Sequence, residues 1–210
     1  MAIHTAYITG AGDFCKSGFH SKAGDLVIAA DGGHEALFKT GVRPHLVLGD
    51  MDSISSHPTG VALLRFPREK DETDIALGLR LARGRGYRRF KLYGALGGRM
   101  DHSLANLQLL AGLARAGLTG RIIAPGLVVY SIHNGALALP AIGKGGLVSV
   151  FAFGGAAEGV SLQGLKYPLV NAHLDAFEPL GISNEALGLP IKISVQAGTL
   201  LAFVRPGGQE

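Results

Sequence analysis

Short apolar runs alternate with helix-spaced stretches along the first 124 residues. "TAYITG", "DLVIAADGG", "HLVLGD" and "RRFKLYGALGG" each read as a strand running into a turn, and "GRIIAPG" as a further strand. Between them, "HEALFKTG" predicts a short helix. "ETDIALGLRLARG" predicts a longer one through Ile75, Leu79 and Ala82, ending near Gly84. "DHSLANLQLLAGLARAG" predicts a third helix with Leu104, Leu107, Ala111 and Ala114 on one face and Gly117 at its end. Strand–helix alternation of this kind predicts a mostly parallel sheet flanked by helices.

The pattern then changes. "LVVYSIHNGALALP" is two apolar runs about Asn134-Gly135, which predicts a hairpin. "GLVSVFAFGG" predicts a strand, and "IKISVQAGTLLAFV" two strands turning near Gly198. No helix period is visible. The expected organisation is an α/β domain over 1–124 and an all-β sandwich over 125–210, divided near Pro125-Gly126.

Composition supports a core-rich globular chain of 210 residues, 47% hydrophobic and 17% charged. No apolar run approaches the roughly 20 residues that span a bilayer, and the N-terminus lacks a signal-peptide pattern. A single cysteine, Cys15, forms no internal disulfide, which fits a reducing compartment. Together these predict a cytoplasmic protein without a membrane partner. The net charge of +4 is unevenly spread, with 16 Lys/Arg against 11 Asp/Glu in residues 1–124. The basic run "LRLARGRGYRRFK" carries Arg80, Arg83, Arg85, Arg88, Arg89 and Lys91. It reads as a solvated helix end and loop, with the last-turn arginines complementing the helix dipole, and no nucleic-acid partner is expected.

The acidic residues are placed differently. Asp31 lies in "ADGG", Asp50 and Asp52 in "GDMDS", Asp71 and Asp74 in "EKDETD", and Asp101 in "GGRMDH". Each group follows a strand, at a turn or a helix start. Any one has a plain explanation as a helix cap or an acidic turn. As a set they fall where the carboxyl ends of strands line a ligand crevice in an open parallel sheet. Converging carboxylates repel unless a cation is present, and hard oxygen ligands suit Mg²⁺ bound with phosphates. "GALGGRMDH" is the complementary half: Gly97 and Gly98 before a helix start allow backbone N–H groups to approach phosphate oxygens, and Arg99 adds a planar fork. No Walker pattern is present.

The ordered set "AADGG", "LVLGDMDSI", "EKDETD", "GALGGRMDHSLANLQLL" and "GISNEALG" resembles the thiamine pyrophosphokinase family, from Ala29 to Asn184. The resemblance implies transfer of pyrophosphate from ATP to the hydroxyl of thiamine, giving thiamine diphosphate and AMP, in a homodimer with the site at the subunit interface. It implies that Asp50, Asp52 and Asp74 hold Mg²⁺. Asp31, Gly32, Thr73, Gly97, Gly98, Arg99, His102 and Asn106 are then expected around ATP, and Ser183 and Asn184 around thiamine. Arg99 is expected to stabilise charge, with Asp71 and Asp101 as alternative proton acceptors. The chain departs from the family pattern at His45, where Asp often follows Pro, at Met51, where Phe is common, and in having no Trp to stack on thiamine. Two rival readings are an aspartate-nucleophile phosphatase, built on the D-x-D of Asp50 and Asp52, and a non-catalytic nucleotide-binding module.

Overall fold

The computed structural model describes residues 4–50, 60–67, 69 and 71–207. The chain forms two compact units, one of residues 1–109 and 119–125, the other of 110–118 and 126–210.

The first unit is built on a parallel sheet. Its strands are β1 (Thr5–Thr9), β2 (Leu26–Ala30), β3 (Leu46–Gly49), β4 (Ala62–Arg65), β5 (Arg89–Tyr93) and β6 (Thr119–Ala124), in the spatial order β6-β5-β1-β2-β3-β4. Three helices connect them: α1 (Gly33–Lys39), α2 (Asp74–Gly84) and α3 (Met100–Arg115). β1, β2 and β3 are almost continuously buried, as expected of parallel strands covered on both faces. β4, an exposed edge strand, carries no pattern strong enough to be read from sequence.

α2 buries the predicted stripe of Ile75, Leu79 and Ala82 together with Leu77 and Gly78. Its Gly78 lies close against Ile8 and Ile28. α3 corrects its prediction. Leu104 is half exposed, and the buried positions are Asn106, Leu110, Ala111 and Leu113. A polar side chain takes the inward position because its amide has a partner there: Asn106 Nδ2 donates to the Ala95 carbonyl at 2.7 Å.

The second unit contains β7 (Leu127–Leu139), β8 (Lys144–Ala152), β9 (Ala157–Gln163), β10 (Leu169–Leu174), β11 (Gly181–Leu187) and β12 (Ile191–Arg205). Neither predicted hairpin exists. β7 runs straight through Asn134-Gly135 and β12 through Gly198, and the two pair antiparallel along almost their whole length. The first half of β12 also pairs with β9 and its second half with β8, so one long ribbon carries two ladders, β12-β9-β10 and β12-β8-β11. One apolar core lies between them, including Ile132, Val148, Val160, Leu162, Ile193 and Leu200.

Candidate active site

The carboxyl ends of the parallel strands bring most of the described candidates to one edge. Asp31 follows β2 directly, with a positive φ of 47°, and its N–H donates to the Leu48 carbonyl at 2.7 Å. Gly49, at φ 147°, passes so close that a Cβ there would lie 3.2 Å from the Asp31 Cα. The two backbones therefore touch where β2 and β3 end, which sets Asp31 and Asp50 side by side in the fold. Gly32 caps α1, and His34 Nδ1 lies 3.0 Å from the Asp31 carbonyl. His45, the departure beside this strand, is structural: its Nδ1 accepts from Val27 N–H at 2.9 Å, and its own N–H donates back to the Val27 carbonyl at 2.8 Å.

Asp74 opens α2. Thr73 is its N-cap, with Oγ1 accepting from Ala76 N–H at 3.2 Å, and the acidic first turn complements the helix dipole. A Cβ on Gly10 would lie 2.7 Å from the Ile75 side chain, so the start of α2 sits over the end of β1. Asp71 is exposed just before it. Asp52 lies outside the described residues. Among the described residues, no three His, Cys, Asp or Glu side chains converge as a metal cage. The donor set still suits Mg²⁺, which takes one or two carboxylates and completes its octahedron with waters and substrate phosphates.

The glycine-rich turn is zipped to the loop after β1. Gly10, Gly12 and Asp13 donate their N–H groups to the carbonyls of Tyr93, Gly94 and Leu96 at 2.7–2.8 Å. These three donors are consumed, and they clamp "TGAGDF" to the glycine-rich turn. Gly94, at φ 54°, leaves no room for a side chain against the Gly10 carbonyl. Gly97, at φ 89°, lies directly against the Asp13 carboxylate. Asp13 is exposed at this edge. It belongs to the cluster but was missed in the sequence, because it follows G-x-G and not one of the D-rich motifs. Asn106, tied to Ala95, holds the same turn from beneath.

Arg99 and Asp101 form a forked ion pair at the start of α3, Nε to Oδ1 at 3.2 Å and Nη2 to Oδ2 at 2.6 Å. Asp101 Oδ1 also accepts from His102 N–H at 3.0 Å. The hydrogen bond from Arg99 leads in pulling the Asp101 carboxyl down to about 2, and the same bond raises the Arg99 pKa. Both side chains are exposed. Held this way, Asp101 is a weak proton acceptor near neutral pH.

The downstream motif "ISNE" lies within strand β11. Ser183 has φ 56° at a register shift between Gly181 and Asn184, and its N–H donates to Ser149 Oγ at 3.0 Å. Asn184 is buried. Its Oδ1 accepts from Tyr167 N–H at 2.9 Å and its Nδ2 donates to the Tyr167 carbonyl at 2.6 Å. Tyr167 itself is 61% exposed, with Lys166 Nζ 5.5 Å from its ring centroid.

A family model for the thiamin pyrophosphokinase catalytic domain matches residues 20–119, and one for the vitamin B1 binding domain of the same enzymes matches 137–200. The thiamine pyrophosphokinase of Bacillus subtilis (strain 168) is 30% identical over 182 residues, 84% of this chain and 85% of the relative. The chain belongs to the thiamine pyrophosphokinase family. Solved members of the family agree in fold. The Bacillus subtilis crystal structure matches with a TM-score of 0.87 at 26% identity, covering 97% of this chain and 100% of the other. The thiamin pyrophosphokinase of Geobacillus thermodenitrificans matches at 0.83 and 26%, covering 98% and 99%. The yeast enzyme, 15% identical, shares the fold at 0.77, covering 97% and 86%. Among the described residues no helix is long and apolar enough to cross a membrane.

Proposed function

We propose that the chain is a thiamine pyrophosphokinase, transferring pyrophosphate from ATP to the hydroxyl of thiamine and releasing AMP. The observation that carries the reading is one sheet edge that gathers Asp31, Asp50 and Asp74 with the Gly94–Arg99 turn, in a chain whose β unit matches a vitamin B1 binding model. The first unit is assigned the nucleotide and the second the thiamine and subunit pairing, in a cytoplasmic homodimer.

Asp50, Asp52 and Asp74 would hold Mg²⁺, which supplies charge neutralisation across the ATP phosphates. The chain's own residues do the rest. Gly97 and Gly98 let the turn approach the phosphates, with Asp31 and Gly32 forming the floor of the crevice. Thr73 and His102 line the nucleotide side. Asn106 acts through the turn it supports. The Arg99 fork, which grips a carboxylate in this structure, offers the same geometry to a phosphoryl group and stabilises the charge that develops during transfer. Asp71, exposed and close to the α2 start, is assigned as the acceptor of the alcohol proton, Asp101 being the weaker base for as long as Arg99 holds it. On the acceptor side, Ser183 and the exposed Tyr167 ring face thiamine, and Asn184 fixes that ring through its backbone.

Incubation with ATP, Mg²⁺ and thiamine tests the reading: AMP and thiamine diphosphate are expected in equal amounts. Release of inorganic phosphate that does not depend on thiamine would return the D-x-D phosphatase reading. Asp52→Asn is expected to abolish turnover while leaving the far-UV circular dichroism spectrum unchanged.

A further inference from the structure

One motif finds no use in this chemistry. The basic run that ends α2 continues into β5, and there the fold turns part of it into a surface. In the parallel ladders of the first unit, Tyr7, Lys91 and Arg121 are register partners across β1, β5 and β6. Thr5, Arg89 and Thr119 form the row before them. Register partners in a parallel sheet share a face, as do residues two apart on one strand. α2 packs on Ile8 and Ile28, the opposite face of the sheet. Arg89, Lys91 and Arg121 therefore project together from the face that α2 does not cover, flanked by two threonine hydroxyls. Arg89 and Thr119 are exposed, while Lys91 and Arg121 are half-buried.

Like charges side by side on neighbouring strands are unfavourable without a counter-ion. Neither Arg89 nor Arg121 has an ion-pair partner among the described residues. The acidic group that faces Lys91 is Asp25, whose oxygens already accept from Thr5 N–H at 2.8 Å and Lys22 N–H at 3.0 Å. Lys91 is held in place: Nζ donates to the Gly18 carbonyl at 3.0 Å and lies 4.9 Å from the Tyr7 ring centroid. Burial lowers its pKa, and Arg121 lowers it further. Lys91 is thus fixed and partly desolvated, and three cations face one carboxylate, that of Asp25.

We propose that Arg89, Lys91 and Arg121 form a second anion site, on the face of β5 and β6 opposite α2 and beside the 17–20 segment that holds Lys91, for a small phosphate-class polyanion such as inorganic pyrophosphate or a diphosphate ester. Neighbouring strands are about 4.8 Å apart, and residues two apart on a strand are about 7 Å apart, so the triangle matches one diphosphate group. Two arginine forks suit phosphate oxygens better than a carboxylic acid of the same charge. Lys91 and Arg89 lie two and four residues before Tyr93, so the site is roughly 7 to 13 Å back from the edge where the carboxylates gather.

Calorimetric titration of inorganic pyrophosphate into the full chain, with EDTA present to remove divalent cations, tests this. The titration uses an Arg99→Gln background, which silences the phosphate contact of the proposed active site. One binding event is expected to remain in that background. Adding Arg89→Gln and Arg121→Gln is expected to weaken it at least tenfold. In a chain with Arg99 intact, the same two substitutions should leave AMP formation at saturating ATP and thiamine within twofold. Absence of binding in the Arg99→Gln background overturns the proposal, as does binding unaffected by the Arg89 and Arg121 changes, or loss of turnover with them. A single-stranded oligonucleotide that binds more tightly than pyrophosphate, with a steep salt dependence, would replace the small ligand by a nucleic acid and also overturn it. A circular dichroism melt within a few degrees of the parent establishes that each variant is folded. Should the double variant fail that check, Arg121→Gln alone is decisive, with a several-fold weakening expected and an unchanged affinity overturning the site.

Discussion

The side-chain amide of Asn184 brackets the backbone of Tyr167, accepting from its N–H at 2.9 Å and donating to its carbonyl at 2.6 Å. A residue that resembles a ligand contact in sequence is, in the fold, the clamp beneath an exposed aromatic ring. Asn184→Ala leaves both backbone groups unpaired and is expected to destabilise the protein by about 1–3 kcal/mol. The thiamine KM should rise at least tenfold while the ATP KM moves less than twofold. Tyr167→Ala should reproduce the KM effect without the full loss of stability. If Tyr167→Ala leaves the thiamine KM unchanged while Asn184→Ala raises it, Asn184 touches thiamine directly and the clamp is not how it acts.

Arg99 and Asp101 give a prediction in pH. The folded-state pKa of Asp101 is depressed, from 3.8 to about 2. Its pairing therefore adds stability at pH values above about 4, and that contribution is lost as pH falls through about 2. Carboxyl carbon NMR should find Asp101 titrating near the lower value, and Arg99→Gln should return it upward. A wild-type Asp101 that titrates like an ordinary carboxylate means the pair does not form in solution. In turnover, Arg99→Lys keeps the charge but not the fork, and a loss of about 10²–10³ in kcat is expected if the fork stabilises developing phosphoryl charge.

Gly97 combines a left-handed backbone, φ 89°, with contact against the Asp13 carboxylate. Gly97→Ala is expected to lose about 1–2 kcal/mol for the backbone alone and to raise the ATP KM by displacing the turn. Asp13→Ala in the same chain removes the collision but not the backbone strain, so it should recover only part of both effects. A Gly97→Ala protein with the parent Tm and ATP KM would show that the turn has no such constraint.

Much of the first unit was legible because its signals agree. Each apolar run of four or five residues ends in a turn residue, and the helix starts carry Thr73 and Asp74 or a glycine. Each carboxylate motif also follows a strand of the parallel sheet, at its carboxyl end. Legibility failed where a side chain answers to a partner distant in sequence. Asn106 points inward on α3 because Ala95 offers a carbonyl, and no helical period foretells that. β9, β10 and β11 carry no strand signal in the sequence, because Glu158, Asn171 and Glu185 interrupt the apolar alternation. The largest error, two hairpins for one ribbon, has a single cause at Asn134 and Gly198.

Across that ribbon, Gly198 N–H donates to Asn134 Oδ1 at 2.9 Å. On either side of the bend the core-facing residues change parity. In β12 they are Ile191, Ile193 and Val195 before it, and Leu200, Ala202 and Val204 after it. In β7 they are Tyr130 and Ile132 before it, and Leu137 and Leu139 after it. Register slips between Val195 and Thr199, so Gln196 to Gly198 bulge opposite Asn134. Asn134, at φ 45°, bends its own strand at the same point. The turn-like dipeptide thus changes which face of a strand looks inward instead of reversing the chain. Asn134→Ala must hold a left-handed backbone without the side-chain acceptor, and a loss of about 1–3 kcal/mol in chemical denaturation is expected. Asn134→Gly relieves the backbone and should lose only the hydrogen-bond part, about 1 kcal/mol. If the alanine variant is as stable as the glycine variant, the positive φ does not constrain the bend. If both match the parent, the Asn134–Gly198 bond does not hold the two halves of the ribbon in phase.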